Sequence, residues 1–220
     1  MVKCIKMLFL GGNMEQKHCK KSVLTRERIL AAAEKEFSEK GFFGARVDEI
    51  ADVADINKRM LYAHFGSKEG LYTKALLAVY ERLADCERKF MTEGLDPVAS
   101  IRNIIHISFK FLAEDPSFVR MLLWENLNRG MAVPTDDLVN LKAPTIEYMR
   151  RQIRRGKEMG IFREEADEYQ TVLSLMSFCF SYFSNIHTMS VIFGKDMACD
   201  SAVHERAEFI SDILIKYLSV

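Results

Sequence analysis

Apolar side chains recur at intervals of three and four residues along most of the chain, and this spacing constrains the fold more than any other feature. A clear example is the series Val98, Ile101, Ile104, Ile105 and Phe109. Such a series places apolar side chains on one face of an α-helix. Only four prolines interrupt the 220 residues, and almost no segment alternates as a β-strand does. We therefore predict an all-α chain.

Capping residues set the expected helix boundaries. The pairs Asp96-Pro97 and Asp115-Pro116 each combine an N-cap residue with proline at the first helical position. Together with the apolar spacing they predict nine helices, over residues 25–40, 47–53, 58–64, 68–92, 97–113, 116–128, 136–157, 166–190 and 201–218. Three short helices followed by six longer ones indicate a small N-terminal module and a larger helical body.

The cysteines and the N-terminal segment indicate the cellular compartment in which the protein acts. The five cysteines are odd in number, widely spaced and without a CxxC pair, which argues against a disulfide framework or a zinc site: Cys4, Cys19, Cys86, Cys179 and Cys199. The apolar run over residues 5–10 is too short for an export signal or a membrane span. We predict a cytoplasmic protein with no cofactor, no metal and no membrane partner. Residues 1–22 are expected to form a flexible tail, either without a role or touching DNA phosphates.

The segment after the first helix has the pattern of two short helices joined by a tight turn. Val47, Ile50 and Ala51 form one apolar face, Asp55-Ile56 turns the chain, and Asn57 can cap a second short helix with Leu61 inside. A turn of three to four residues between two such helices is typical of the helix-turn-helix arrangement.

Positive charges lie at helix starts that disfavour them. The chain has no formal net charge, yet residues 1–74 hold 14 Lys and Arg against 10 Asp and Glu. Lys58 and Arg59 begin the second short helix, and Lys68 follows the expected cap Ser67 of the next. A cation at a helix N-terminus costs up to about 1 kcal/mol relative to an acid, unless an external anion reverses the sign. A phosphate-binding surface is indicated; a solvated helical hairpin is the alternative.

Three stretches recur together at the spacing of one family. They are Val47-Asp48-Glu49-Ile50-Ala51, Ala54-Asp55-Ile56, and the run from Leu61 to Leu71 with its Tyr-Ala-His-Phe and Ser-Lys-Glu elements. In these elements, over about residues 25–72, the chain resembles the N-terminal domain of TetR-family transcription regulators. The resemblance implies a DNA-binding domain over residues 23–70 and a helical effector-binding and dimerisation domain over residues 71–220.

The resemblance also implies which residues meet double-stranded DNA. Position 47 and residues 58–60 approach the groove, two further side chains contact phosphate or bases, and a lysine holds the DNA backbone. Arg46 stands where the family usually has a small capping residue and is expected to gain a phosphate contact, and Asp55 replaces a common glycine at a turn it can tolerate. The expected DNA-binding residues are Arg46, Val47, Lys58, Arg59, Met60, Tyr62, His64 and Lys68.

The last part of the chain is expected to form a homodimer. The segment 166–190 is apolar nearly all round and carries a stripe of small residues, Ser174, Ser177, Ser181 and Ser184. The segment 201–218 offers a second surface through Val203, Ala207, Ile210, Leu214 and Tyr217. The resemblance implies that both helices pair with their copies; ordinary core packing is the alternative. Two recognition helices would then read a palindromic operator.

Aromatic and methionine side chains in the middle helices are candidates for an effector pocket, although core packing explains such residues as well. The set is His106, Phe109, Phe118, Met121, Trp124, Phe178 and Tyr182. We predict a DNA-binding transcriptional regulator, a repressor that an unknown small molecule releases. The alternative is an effector-independent DNA-binding or helical adaptor protein. No phosphate-binding loop, HExxH or GxSxG motif supports an enzyme.

Overall fold

A computed structural model describes residues 5–92, 94–132 and 135–220, with side chains from residue 22 onward. Over these residues the fold is all-α, as predicted, and consists of ten helices. They are α1 (Ile5–Gly44), α2 (Val47–Val53), α3 (Lys58–Phe65), α4 (Lys68–Arg88), α5 (Pro97–Glu114), α6 (Pro116–Leu127), α7 (Thr135–Glu158), α8 (Glu168–Ser184), α9 (Ile186–Phe193) and α10 (Asp200–Leu218).

The first helix is longer than the sequence predicted. Its backbone is helical from Ile5, so Thr25 lies inside α1 instead of capping it, and the segment expected to be a tail is helical over residues 5–22. Residues 13–21 of this segment include Lys, Glu and Gln, which are good helix formers. Gly41, with φ of 69°, kinks the end of α1.

The predicted helix 166–190 is two helices, α8 and α9. Asn185 separates them, with φ of −115° and ψ of 7°. Its side-chain Nδ2 donates to the carbonyl oxygen of Ser181 at 2.9 Å. An Asn side chain that bonds the preceding turn competes with continuation of the helical hydrogen bonds, and an apolar spacing alone does not reveal such a break.

The chain divides into two compact units, residues 1–76 and 77–220, and the division falls within α4. In the first unit, α2 packs on α1 and α3 packs on α2. The core side chains of this unit are fully buried and come from α1, α2, α3 and α4. They are Ile29, Ala33, Phe37, Ile50, Leu61, Leu71 and Tyr72. The apolar face predicted for the helix-turn-helix is therefore the face that holds this unit together.

The second unit is organised around α5, which packs against α6, α7, α8 and α10. The chain reverses after α7 where the Phe162 ring lies directly over Gly156, a position that has no room for a side chain. Phe162 also bridges Ser219, and the Arg163 backbone N–H donates to the Leu218 carbonyl at 2.7 Å. None of the helices in the described ranges carries an apolar stretch long enough to cross a bilayer.

Candidate nucleic-acid interface and body cavity

The turn between α2 and α3 is fixed by one arginine of α1. The Arg28 guanidinium donates to the Ala54 carbonyl at 2.5 Å and to the Asp55 carboxylate at 3.2 Å. Asp55 has φ of 49°, in the left-handed region where Asp is tolerated better than most residues. The departure from glycine at this position therefore leaves the turn intact.

Side-chain caps hold the starts of α3 and α4 as the sequence predicted. The Asn57 side chain accepts from the Met60 backbone N–H at 2.8 Å, and the Ser67 hydroxyl accepts from that of Gly70 at 3.1 Å. Arg46 makes no side-chain cap for α2; its own backbone N–H donates to Glu36 Oε1 at 3.2 Å. Its side chain stays exposed at the surface, 4.0 Å from Glu49.

Two of the cations at helix starts have partners within the protein. The Lys58 ammonium lies 2.9 Å from Asp48 on α2, and this hydrogen bond raises the pKa of Lys58. The Lys68 ammonium donates to the Ala45 carbonyl at 2.7 Å and lies 4.8 Å from the centre of the Phe42 ring. Local anions and dipoles thus compensate both positions, and their charge pattern by itself does not require DNA.

Arg59 is different. It is exposed on α3, and among the described residues it has no ion-pair or hydrogen-bond partner. Next to it Met60 is 41% exposed and Tyr62 36% exposed, while Leu61 turns into the core. His64 is half-buried in the last turn of α3. We call the side chains of Lys58, Arg59, Met60 and Tyr62 the α3 surface: an uncompensated guanidinium flanked by an apolar and a hydroxyl-bearing side chain.

Val47 does not join this surface. It is only 8% exposed and belongs to the buried face of α2 together with Ile50 and Ala51. Because Val47 begins α2, its backbone N–H has no acceptor within the helix. This N–H is therefore the group of Val47 that could bind an anion. The Val47 side chain thus packs in the core, as the apolar pattern of α2 predicted, and an approach of position 47 to DNA stays a prediction.

A cavity of about 440 Å³ lies inside the second unit, within the range of small-molecule sites. Residues of α4, α5, α6, α7 and α8 form its wall. Much of that wall is apolar, through Leu83, Ile104, Leu112, Met149, Val172 and Leu175. Such a lining favours a ligand with a largely apolar body.

Three buried polar groups meet on the wall of this cavity. The Lys142 ammonium donates to both Glu87 oxygens, at 2.8 and 2.6 Å, and the Thr145 hydroxyl donates to Glu87 Oε2 at 2.7 Å. Glu87 is 4% exposed and Lys142 9% exposed. Burial, with a smaller contribution from Glu87, raises the pKa of the nearby Cys179 thiol to about 12. The cavity therefore has a charged but internally neutralised polar corner.

The residues expected to form an effector pocket do not meet at one place. Phe118 lines the 440 Å³ cavity, whereas Phe178 and Tyr182 line a separate, more open groove. Phe109 packs against the Tyr182 ring, 5.7 Å between centres. Met121 is buried, and Trp124 and His106 are half-buried. None of these three residues lines the cavity or the groove. Glu87, Lys142 and Thr145 were not predicted from the sequence to line a pocket, because polar and charged residues on amphipathic helices are normally exposed.

Apolar side chains remain exposed on α8, α9 and α10. The α10 residues Val203, Ala207, Ile210 and Leu214, expected at the surface of a dimer, are instead buried within the chain. The exposed apolar side chains lie on another face of α10 and on its neighbours, at Tyr169, Leu173, Met176, Val191, Ile192, Phe193, Phe209, Ile213 and Tyr217. Concentrations of exposed apolar groups of this kind mark interaction surfaces.

Two family descriptions match the chain. Residues 29–75 match "Bacterial regulatory proteins, tetR family", and residues 97–214 match "Tetracyclin repressor-like, C-terminal domain". The first match covers the helix-turn-helix and the second covers most of the helical body, so one match falls in each compact unit.

Characterised relatives and solved structures agree with these matches. The transcriptional repressor NicS of Pseudomonas putida is 34% identical over 195 residues, covering 88% of this chain and 92% of its own length. A repressor of Streptomyces coelicolor is 32% identical over 64% of this chain and 68% of its own. A Thermus thermophilus TetR-family regulator, PfmR, superposes with a TM-score of 0.67 at 24% identity, covering 88% of this chain and all of its own.

Proposed function

The chain belongs to the TetR family of transcriptional regulators, and on that premise we propose that it represses transcription by binding a palindromic operator as a homodimer. A small molecule in the 440 Å³ cavity releases it from the DNA. Both relatives described above are transcriptional repressors. Because its target is DNA, the protein would act in the cytoplasm.

The observation that carries the DNA contact is Arg59 on the α3 surface, which has no partner among the residues that the structure describes. A guanidinium without an internal partner is free to bind a guanine edge or a phosphate in two-pronged geometry. Met60 and Tyr62 beside it offer an apolar contact and a hydroxyl. Lys58 is shared with Asp48, so its contact with phosphate is weaker, and Lys68 acts by holding the first turn of α4 against Ala45.

The homodimer rests on the exposed apolar faces of α8 and α10. Tyr169, Leu173 and Met176 lie on α8, and Phe209 and Ile213 lie on α10. A second copy would cover these side chains with the same faces, as an interface around a two-fold axis requires. The serine stripe of α8, half-buried or exposed, leaves room for close helix approach. Two copies place two α3 surfaces on one operator.

Ile213→Glu is expected to convert the dimer to a monomer, because it would bury a carboxylate in each half of the interface. Sedimentation velocity measures the change, and binding to a palindromic operator should fall with it. Leu127→Glu provides the control, since Leu127 is 73% exposed on α6 and its replacement makes the same change of charge elsewhere. A dimeric Ile213→Glu protein would contradict this interface.

The cavity favours an effector with an apolar body and one hydrogen-bond acceptor. Lys142 gives two of its three N–H groups to Glu87, and no described residue takes the third. An acceptor on the ligand would satisfy it without adding a second charge to a buried pair. The response reaches the DNA-binding unit through α4, which begins at Lys68 in that unit and carries Glu87 near its other end.

Ser108→Leu is expected to abolish release by the effector while operator binding in its absence is retained. Ser108 is buried at the cavity wall, and the larger side chain would occupy space that the ligand needs. Fluorescence anisotropy of labelled operator, titrated with apolar ketones and esters of graded size, measures release. If no compound releases the wild-type protein, or if the variant responds as wild type does, this cavity is not the effector site.

A further inference from the structure

Two imidazoles and a carboxylate meet between α5 and α10, outside both the α3 surface and the 440 Å³ cavity. His106 comes from α5, and His204 and Glu208 come from successive turns of α10. One nitrogen of each histidine and one oxygen of Glu208 all lie within 4.8 Å of one another. The two imidazole rings lie 5.7 Å apart between centres. Nothing in operator or effector binding uses this cluster.

His106 has an unsatisfied nitrogen in this cluster. Its Nε2 atom is buried and has no hydrogen-bond partner among the described residues, although Glu208 Oε1 lies 3.3 Å away. A buried polar atom without a partner destabilises the folded protein, and such atoms in a native protein call for an explanation. A bound cation that accepts the nitrogen lone pair would explain why this atom has no hydrogen-bond partner.

The Glu208 carboxylate is already oriented to bind such a cation. Arg102 donates to its Oε2 at 2.5 Å and, through its other nitrogen, to Asp212 at 2.8 Å. Oε1 is left facing His106. Carboxylates that bind metals are commonly held through their second oxygen by an outer hydrogen bond, which fixes the direction of the first. Arg102, Glu208 and Asp212 together carry a net charge of −1, so the surroundings attract a cation.

We propose that His106, His204 and Glu208 form a binding site for a divalent zinc ion, with water as the fourth ligand. Two imidazoles and one carboxylate are a donor set that zinc accepts in tetrahedral geometry, with bonds of about 2.0–2.2 Å. Tetrahedral bonds of that length bring the donor atoms to about 3.3–3.6 Å of each other, within reach of side-chain rotation from the present spacing. The ion would join α5 to α10.

Cobalt and zinc titrations of the full-length protein test the site. Co²⁺ in a four-coordinate nitrogen and oxygen site absorbs visible light far more strongly than the hydrated ion, so the spectrum reports geometry as well as binding. Zinc should displace the cobalt, and the melting temperature should rise with zinc concentration because the ion binds only the folded protein.

The variants separate this site from incidental binding at surface histidines. His204→Ala removes an exposed ligand without disturbing the core and should weaken zinc at least tenfold; His106→Ala should do the same if it folds. The matched control is His187→Ala, an exposed histidine on α9, which should bind zinc as wild type does. A wild-type protein without the four-coordinate cobalt spectrum, or a His204→Ala protein with unchanged zinc affinity, would overturn the proposal.

Discussion

Replacing Arg59 by alanine should weaken operator binding at least tenfold and leave the melting temperature within about a degree of wild type. The guanidinium is exposed and unpartnered among the described residues, so its loss costs the fold little. Each bidentate base contact is worth about 1–3 kcal/mol, and a dimer loses two. Fluorescence anisotropy at fixed salt, paired with a thermal melt, measures both quantities.

The control for Arg59→Ala is Arg88→Ala, which removes the same charge from an exposed position in the second unit, where Arg88 pairs with Asp85. Operator affinity should change by less than about twofold there, since a surface charge outside the DNA-binding unit acts only through screened electrostatics. The loss of operator affinity in Lys58→Ala should lie between the losses in Arg59→Ala and Arg88→Ala, because Lys58 already pairs with Asp48. Equal affinities for wild type and Arg59→Ala would remove Arg59 from the recognition surface.

Glu87→Gln should lower the free energy of unfolding by about 3–5 kcal/mol. The substitution keeps the shape of the side chain but leaves the Lys142 ammonium, 9% exposed, without a compensating charge. Breaking a buried ion pair by removing one partner has a cost of this size. Urea denaturation at a fixed protein concentration measures it, since the stability of a dimer depends on concentration.

Two controls distinguish the buried pair from ion pairing in general. Asp85 lies two residues before Glu87 on α4, and Asp85→Asn breaks its exposed pair with Arg88. This change should cost less than about 1 kcal/mol. The double replacement of Glu87 and Lys142 by methionine should recover most of the lost stability, because it removes both buried charges. A Glu87→Gln protein as stable as wild type would show that Lys142 reaches water and that the pair is not buried in solution.

Most of the helix-turn-helix could be predicted from sequence because local rules decide its caps and its turn residue, whereas the Arg28 contact to the turn comes from α1 and could not. The Asn57 and Ser67 caps, the left-handed Asp55 and the inward Leu61 each follow from the chemistry of a residue and its neighbours within one or two turns. These interactions span few residues, so a linear pattern contains most of the information that places them.

The contacts that could not be predicted from the sequence depend on distant partners. The bond from the Lys68 ammonium to the Ala45 carbonyl spans 23 positions and does not follow from the charge pattern. Glu87 and Lys142 are 55 positions apart and meet only when α4 and α7 pack. The His106 cluster joins α5 to α10 in the same way. Charge and spacing along the chain do not encode such pairings.

The most direct test of operator recognition is selection of bound duplexes from random-sequence DNA, followed by sedimentation of the selected complex. Recognition by two α3 surfaces predicts an inverted repeat with half-sites one helical turn, about 10 base pairs, or a multiple apart, bound by two chains or a multiple of two. Enrichment of no sequence, or of a single unrepeated site held by one chain, would contradict it.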